Sequence, residues 1–135
     1  MSTYAKKTKV PASQTLTEVQ AVLKRYGATA FGYANLPGVV MIAFESKGRR
    51  LRFKVPVPDE NKDPQGHRQR WRALLLAIKA KLESVASGIE SFDEAFMAQI
   101  VLPDGRTMAE YATPQIASAY KEGKMPPLLG HEGTP

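Results

Sequence analysis

Cysteine is absent from this 135-residue chain. That excludes disulfides and thiolate metal centres, and it makes an intracellular protein the simpler expectation. Long apolar runs are missing too. The longest, such as Val39–Phe44, fall far short of the roughly 20 residues that span a bilayer, so no membrane partner is expected. The N-terminus, MSTYAKKTKV, has cations but no apolar stretch, so no signal peptide is expected. Histidine occurs only at His67 and His131, which leaves little from which to build a Ser-His-Asp triad. No His/Asp/Glu trio has metal-ligand spacing, and there is neither a GxGxxG nor a P-loop. The expectation is a protein with no catalytic residues, no metal and no cofactor.

Positive charge is what the chain has in excess. The net charge is +6, but residues 47–81 alone hold eleven cations against three acids, and residues 82–135 hold three cations against eight acids. A basic middle and an acidic end give a field that attracts polyanions on one side only.

The length suggests one domain. Residues 1–12 read as a flexible basic arm with Lys6, Lys7 and Lys9, residues 13–123 as the folded unit, and residues 124–135 as a proline-bearing tail. Thr15-Leu-Thr-Glu18 matches a capping box, and Leu16, Val19, Leu23 and Tyr26 follow at helical spacing, so a helix is expected over 16–26. Three strands are expected at 28–34, 39–45 and 49–55, joined by the tight turns Asn35–Gly38 and Ser46–Gly48. Such short connections imply an antiparallel meander. A polar loop (57–66) leads to a long helix over 67–87, whose apolar stripe is Trp71, Leu74, Leu75, Ile78, Leu82 and Val85. Ser91-Phe-Asp-Glu94 and Thr107-Met-Ala-Glu110 are further capping boxes, with a short strand expected at 100–102 between them. Thr113-Pro114 should restart a last helix that carries Ile116 and Tyr120 inward and stops at Gly123. The fold class is α+β: a helix, a three-stranded antiparallel meander, a long helix packed on one sheet face, then small C-terminal helices.

The stretch KGRRLRFKVPVPD concentrates the charge. Strand alternation puts Arg50, Arg52 and Lys54 on one face, about 6.7 Å apart, and Leu51, Phe53 and Val55 on the other. A row of cations at that step can follow a sugar–phosphate backbone. The plainer reading is a solvated strand whose charges discourage edge pairing. Arg49 has the opposite parity and a weaker claim. A second cluster, Arg68, Arg70 and Arg72, falls near the expected start of the long helix, with Lys79 on the flank of Arg68 and Arg72. The macrodipole disfavours cations at a helix start, so an external anion would satisfy them. Acids of the preceding loop, Asp59, Glu60 and Asp63, could equally neutralise them. Trp71, Phe31 and Tyr33 are stacking candidates, with core packing as the plainer reading. Asp93, Glu94 and Glu110 are explained by caps and Asp104 by a turn. The tail segment Lys124–Leu129 reads as a docking peptide for its own domain or a neighbouring subunit, with a packed strap or a disordered end as the plainer readings.

Taken together, VPASQTLTEVQAVLKRYGA, GRRLRFKVPVPD, RQRWRALLLAIKAKLESVASGI, VLPDGRTMAEY and YKEGKMPPLL resemble a family of small phage and prophage proteins over about Lys9–Leu129. The resemblance implies a bacterial cytoplasm as the working compartment and carries over no catalytic residues. The β-meander followed by a long basic helix is similar in topology to Rad52-like single-strand annealing proteins, which implies a role in annealing or recombination. The first functional expectation is therefore a non-catalytic binder of single-stranded DNA through Arg49, Arg50, Arg52, Lys54, Arg68, Arg70, Arg72 and Lys79. The second is a phage inhibitor of a host enzyme or defence complex, using the same basic face. The opposed charges of middle and end would favour head-to-tail homo-oligomers.

Overall fold

The computed structural model describes residues 8–125. Its elements are α1 (Ala12–Arg25), β1 (Thr29–Leu36), β2 (Val39–Ser46), β3 (Arg49–Pro56), α2 (Pro64–Ala86), α3 (Phe92–Phe96) and α4 (Met108–Glu122), with a single 3-10 turn at Met97–Gln99. The three strands form an antiparallel meander in the order β1-β2-β3. This is the expected α+β arrangement.

Turn chemistry sets the register. Gly38 takes φ 76° after Pro37 and closes β1 onto β2. Lys47 and Gly48 both take positive φ, 53° and 73°, the two left-handed positions that match a turn to strand twist. The second turn puts Phe44 opposite Leu51, Ile42 opposite Phe53, and Glu45 opposite Arg50. Val40, Ile42, Phe44, Leu51 and Phe53 thus share one face, which α1, α2 and α3 cover to form a single core with Val19, Leu23, Trp71, Leu75, Ile78 and Phe96.

α2 starts a turn earlier than the apolar stripe alone suggests. Asp63 caps it by accepting from the Gly66 N–H at 2.9 Å, and Pro64 takes the first helical position. Gly66 leaves room for that cap, since a Cβ there would lie 2.2 Å from Asp63 Oδ2. α1 corrects a second expectation. It begins at Ala12, where Pro11 O accepts from Gln14 and Thr15, each at 3.1 Å. Thr15 is therefore inside the helix and fully buried beside Val19, and Glu18 turns to Arg72 instead of the helix start. Of the arm expected over 1–12, residues 1–7 lie outside the described residues. Thr8 is buried, and its carbonyl accepts from Gln65 at 2.8 Å.

The C-terminal third holds three further corrections. Residues 100–102 form isolated bridges, Leu51 to Ile100 and Val101 to Thr107, in place of a strand. Pro114 lies within one continuous helix, α4, and starts no new one. Its first turn is already held by the Thr107 box, so the missing proline N–H removes one bond without ending the helix. The continuous helix rotates Ile116 and Tyr120 outward, to 55% and 88% exposure, where burial was expected. Gly123 ends the helix as expected. Lys124 and Met125 are exposed, and the rest of the tail lies outside the described residues.

Both C-terminal capping boxes form in full. Ser91 accepts from Glu94 N–H while Glu94 accepts from Ser91 N–H, and Thr107 and Glu110 do the same. The Ser91 N–H bond holds Glu94 below its ordinary pKa, the Thr107 N–H bond does so for Glu110, and Arg106 does so for Asp104. A depressed folded pKa gives stability that is present above the unfolded value and lost as pH falls through the folded one. The ordinary values are 4.5 for Glu and 3.8 for Asp. The urea midpoint should therefore fall on acidification below that range. Thr107→Ala should cost about 1 kcal/mol at neutral pH and flatten part of that acid limb. An acid limb identical to that of the wild type would show that the Thr107 box contributes nothing to it.

Candidate nucleic-acid interface

The sheet's second face carries Gly32, Ala34, Val39, Met41, Ala43, Glu45, Arg50, Arg52 and Lys54. None of these is fully buried, and Ala43, Glu45, Arg50 and Lys54 are exposed. Across the ladder, Arg50 stands opposite Glu45, Arg52 opposite Ala43, and Lys54 opposite Met41. The expected parity of the basic strand holds: Leu51 and Phe53 are buried on the other side.

The eight candidate cations do not form one surface. Arg49 makes a two-pronged pair with Asp93, at 3.2 and 2.9 Å. Arg52 donates one nitrogen to Glu110 at 2.7 Å and to Gly105 O at 3.1 Å. Acids of the C-terminal third thus fold back on the basic strand of the same chain. These pairs are partly exposed to solvent, so each contributes little to stability.

The helical cluster is more fully committed. Because α2 begins at Pro64, its first turn holds no arginine and Asp63 occupies its cap. The expected anion site at that helix start is therefore filled from within. Arg72 is buried and ion-paired to Glu18 of α1. Arg68 donates to Gln65 Oε1 at 2.7 Å. Arg70 donates to Pro56 O at 3.1 Å, at the end of β3. Asp59 instead closes the 59–62 turn, so of the loop acids only Asp63 reaches the helix, as a cap. Lys79 is exposed, but it lies on the helical layer, on the flank of Arg72 that faces α1.

Arg50 and Lys54 remain. Both are exposed, and neither side chain has an ion-pair or hydrogen-bond partner among the described residues. They lie four residues apart on one strand, or about 13 Å. Arg52 sits between them with part of its guanidinium engaged. The floor beside them is small and apolar: Gly32, Ala34, Met41 and Ala43. Sequence reading missed this floor and missed Glu45, although the two-residue turn at Lys47-Gly48 fixes both as neighbours of the basic row.

The aromatic candidates lie elsewhere. Trp71 is buried in the core, Phe31 packs against it, and Tyr33 has the parity of the covered face although it is 57% exposed. His67 is buried with Nδ1 2.9 Å from Pro58 O. A second concavity of about 650 Å³ lies between α3 and α4, lined by Met97, Met108, Ile116 and Met125 among others. Among the described residues no group of three or more His, Asp or Glu is placed to hold a metal, and no helix is long and apolar enough to cross a membrane. No family model matches the chain, and comparison with curated proteins and with solved structures gives no match either.

Proposed function

We propose that this is a non-catalytic binder of single-stranded DNA that works in the cytoplasm of a bacterial host. The strand would run along β3, with phosphates on Arg50, Arg52 and Lys54 and sugars or bases over Met41 and Ala43. The observation that carries this reading is the pair Arg50 and Lys54, whose side chains are exposed and unpartnered among the described residues, on either side of Arg52, where the start of α4 meets this face. A flat face with a ~13 Å cation spacing along the strand suits a flexible single strand. Among the described residues no aromatic side chain belongs to that face, so binding is electrostatic and tolerant of sequence. Glu45 opposite Arg50 lowers the local potential and keeps the affinity modest.

Salt dependence tests the reading and counts the contacts. Log affinity for a single strand falls by about 0.7 per neutralised phosphate for each log unit of salt. Three contacts give a slope of about 2 and a roughly 20-fold loss between about 50 and 200 mM salt. Eight contacts would give a slope near 5.6 and a loss above ~2000-fold. Anisotropy of a labelled oligonucleotide should show the shallow slope. No binding at the lower salt would overturn the proposal and favour an acidic protein surface as the partner.

A further inference from the structure

The two edges of the sheet are treated differently. The outer edge of β3 is guarded along its length. Arg50 O accepts from Val101 at 2.8 Å, Pro56 O accepts from Arg70, Pro56 has no N–H to offer, and Arg50, Arg52 and Lys54 add charge. β1 has none of these devices. Its sequence, TAFGYANL, contains no charged residue and no proline. No backbone hydrogen bond from another described residue reaches it except from β2. Only a register shift between Thr29 and Gly32, with Ala30 at φ 52°, disturbs the edge, and it leaves Gly32–Leu36 regular.

The turn at Pro37-Gly38 tells which groups that edge offers. In a two-residue hairpin the flanking pair, Leu36 and Val39, is hydrogen-bonded, and bonded pairs alternate from there. Ala34 and Gly32 therefore bond to β2, and the N–H and C=O of Tyr33 and Asn35 point away from the sheet. The same rule applied to β3 turns Arg50 and Pro56 outward, which is where Val101 and Arg70 meet them.

We propose that the Gly32–Leu36 edge pairs with the same segment of a second copy. Tyr33 of each chain would exchange both backbone bonds with Asn35 of the other, around a two-fold axis at Ala34. The exposed donors and acceptors specify an extended strand. The strand's neutrality permits the second copy: β1 has no charged residue, so two chains of net charge +6 can meet there without like charges opposed across the seam. An antiparallel strand is also self-complementary about a two-fold axis, so the assembly closes as a dimer. Its sheet would be six-stranded and carry two basic rows. The contact is short, so the dimer is weak and concentration-dependent. This inference rests on β1 alone and stands or falls apart from single-strand binding.

Sedimentation equilibrium over increasing protein concentration tests it. The expected result is a reversible monomer–dimer equilibrium that tightens with added salt, as cation repulsion is screened. Asn35→Lys should weaken the dimer at least tenfold by placing charge on the edge. Asn35→Pro should do the same by removing an outward N–H that β2 does not use. Far-UV circular dichroism checks that each variant is folded, and Asn35→Lys decides if Asn35→Pro is not. Exchange of the Tyr33 and Asn35 amides should slow as concentration rises. A wild type that stays monomeric, a dimer unaffected by Asn35→Lys, or assembly beyond the dimer would each overturn the proposal.

Discussion

Arg50→Glu combined with Lys54→Glu is expected to weaken single-strand binding about 100-fold or more at low salt. Two attractive charges become two repulsive ones, a change of four units beside the phosphates. At contact distance in water each unit is worth up to about 1 kcal/mol, and a factor of ten corresponds to about 1.4 kcal/mol. Both side chains are exposed, so the fold should survive, although the carboxylate introduced in place of Arg50 would face Glu45 and cost a few tenths of a kcal/mol to about 1 kcal/mol. Arg50→Gln with Lys54→Gln avoids that repulsion and should still lose about tenfold. Lys79→Glu is the informative control. It changes charge as much per site but lies on the helical layer, so it should alter affinity less than about threefold through long-range field alone. Equal losses from Lys79→Glu and Arg50→Glu would place the strand across the helices and refute the open-face site.

How the acidic third meets the basic strand was the part least visible in the sequence. Hairpins and parity could be read because turn chemistry and strand alternation act over a few residues: Lys47-Gly48 and the Leu51/Phe53 against Arg50/Arg52/Lys54 alternation were both legible. The partners that reduce the cation row were not. Asp93 lies 44 residues from Arg49, Glu18 54 from Arg72, and Glu110 58 from Arg52. Each of those acids already had a local explanation as a cap or a box, and a local explanation gives no hint of a second task. Glu110 does perform both, accepting from Thr107 and from Arg52. The misplaced start of α1 has the same origin. Thr15-x-x-Glu18 matches a capping box letter for letter, yet Thr15 shares a helical face with Val19, Val22 and Leu23, and burying that face draws Thr15 into the helix. Pattern fixed the layers of this protein; tertiary pairing decided which of its charges remain available.

Phe96→Ala is expected to lower stability by about 3–5 kcal/mol, a large share of the roughly 5–15 kcal/mol typical of a domain. Phe96 is fully buried although it sits in the five-residue helix α3. Its ring stands edge-on to Phe44 and Phe53, with centroids 6.4 and 6.3 Å away, and stacks on Phe92 at 4.8 Å. Lys81 closes the site, its ammonium 5.9 Å from the ring centroid and bonded to Ala95 O at 2.8 Å. No other described residue of the C-terminal third is so large and so enclosed, and α4 has no fully buried residue of its own. The ring therefore anchors the acidic third on the sheet, and the exposed pairs Arg49–Asp93 and Arg52–Glu110 follow from that docking more than they cause it. Urea titration separates the two views. Phe96→Ala should shift the midpoint several times further than Arg49→Gln, whose loss is bounded near ~1 kcal/mol by the exposure of its pair. Comparable shifts would mean that ion pairs hold this segment down. Phe96→Leu, which keeps most of the apolar volume, should remain folded with a looser α3. Loosening releases Asp93 from Arg49 and Glu110 from Arg52, so its single-strand binding should strengthen and its salt slope should steepen.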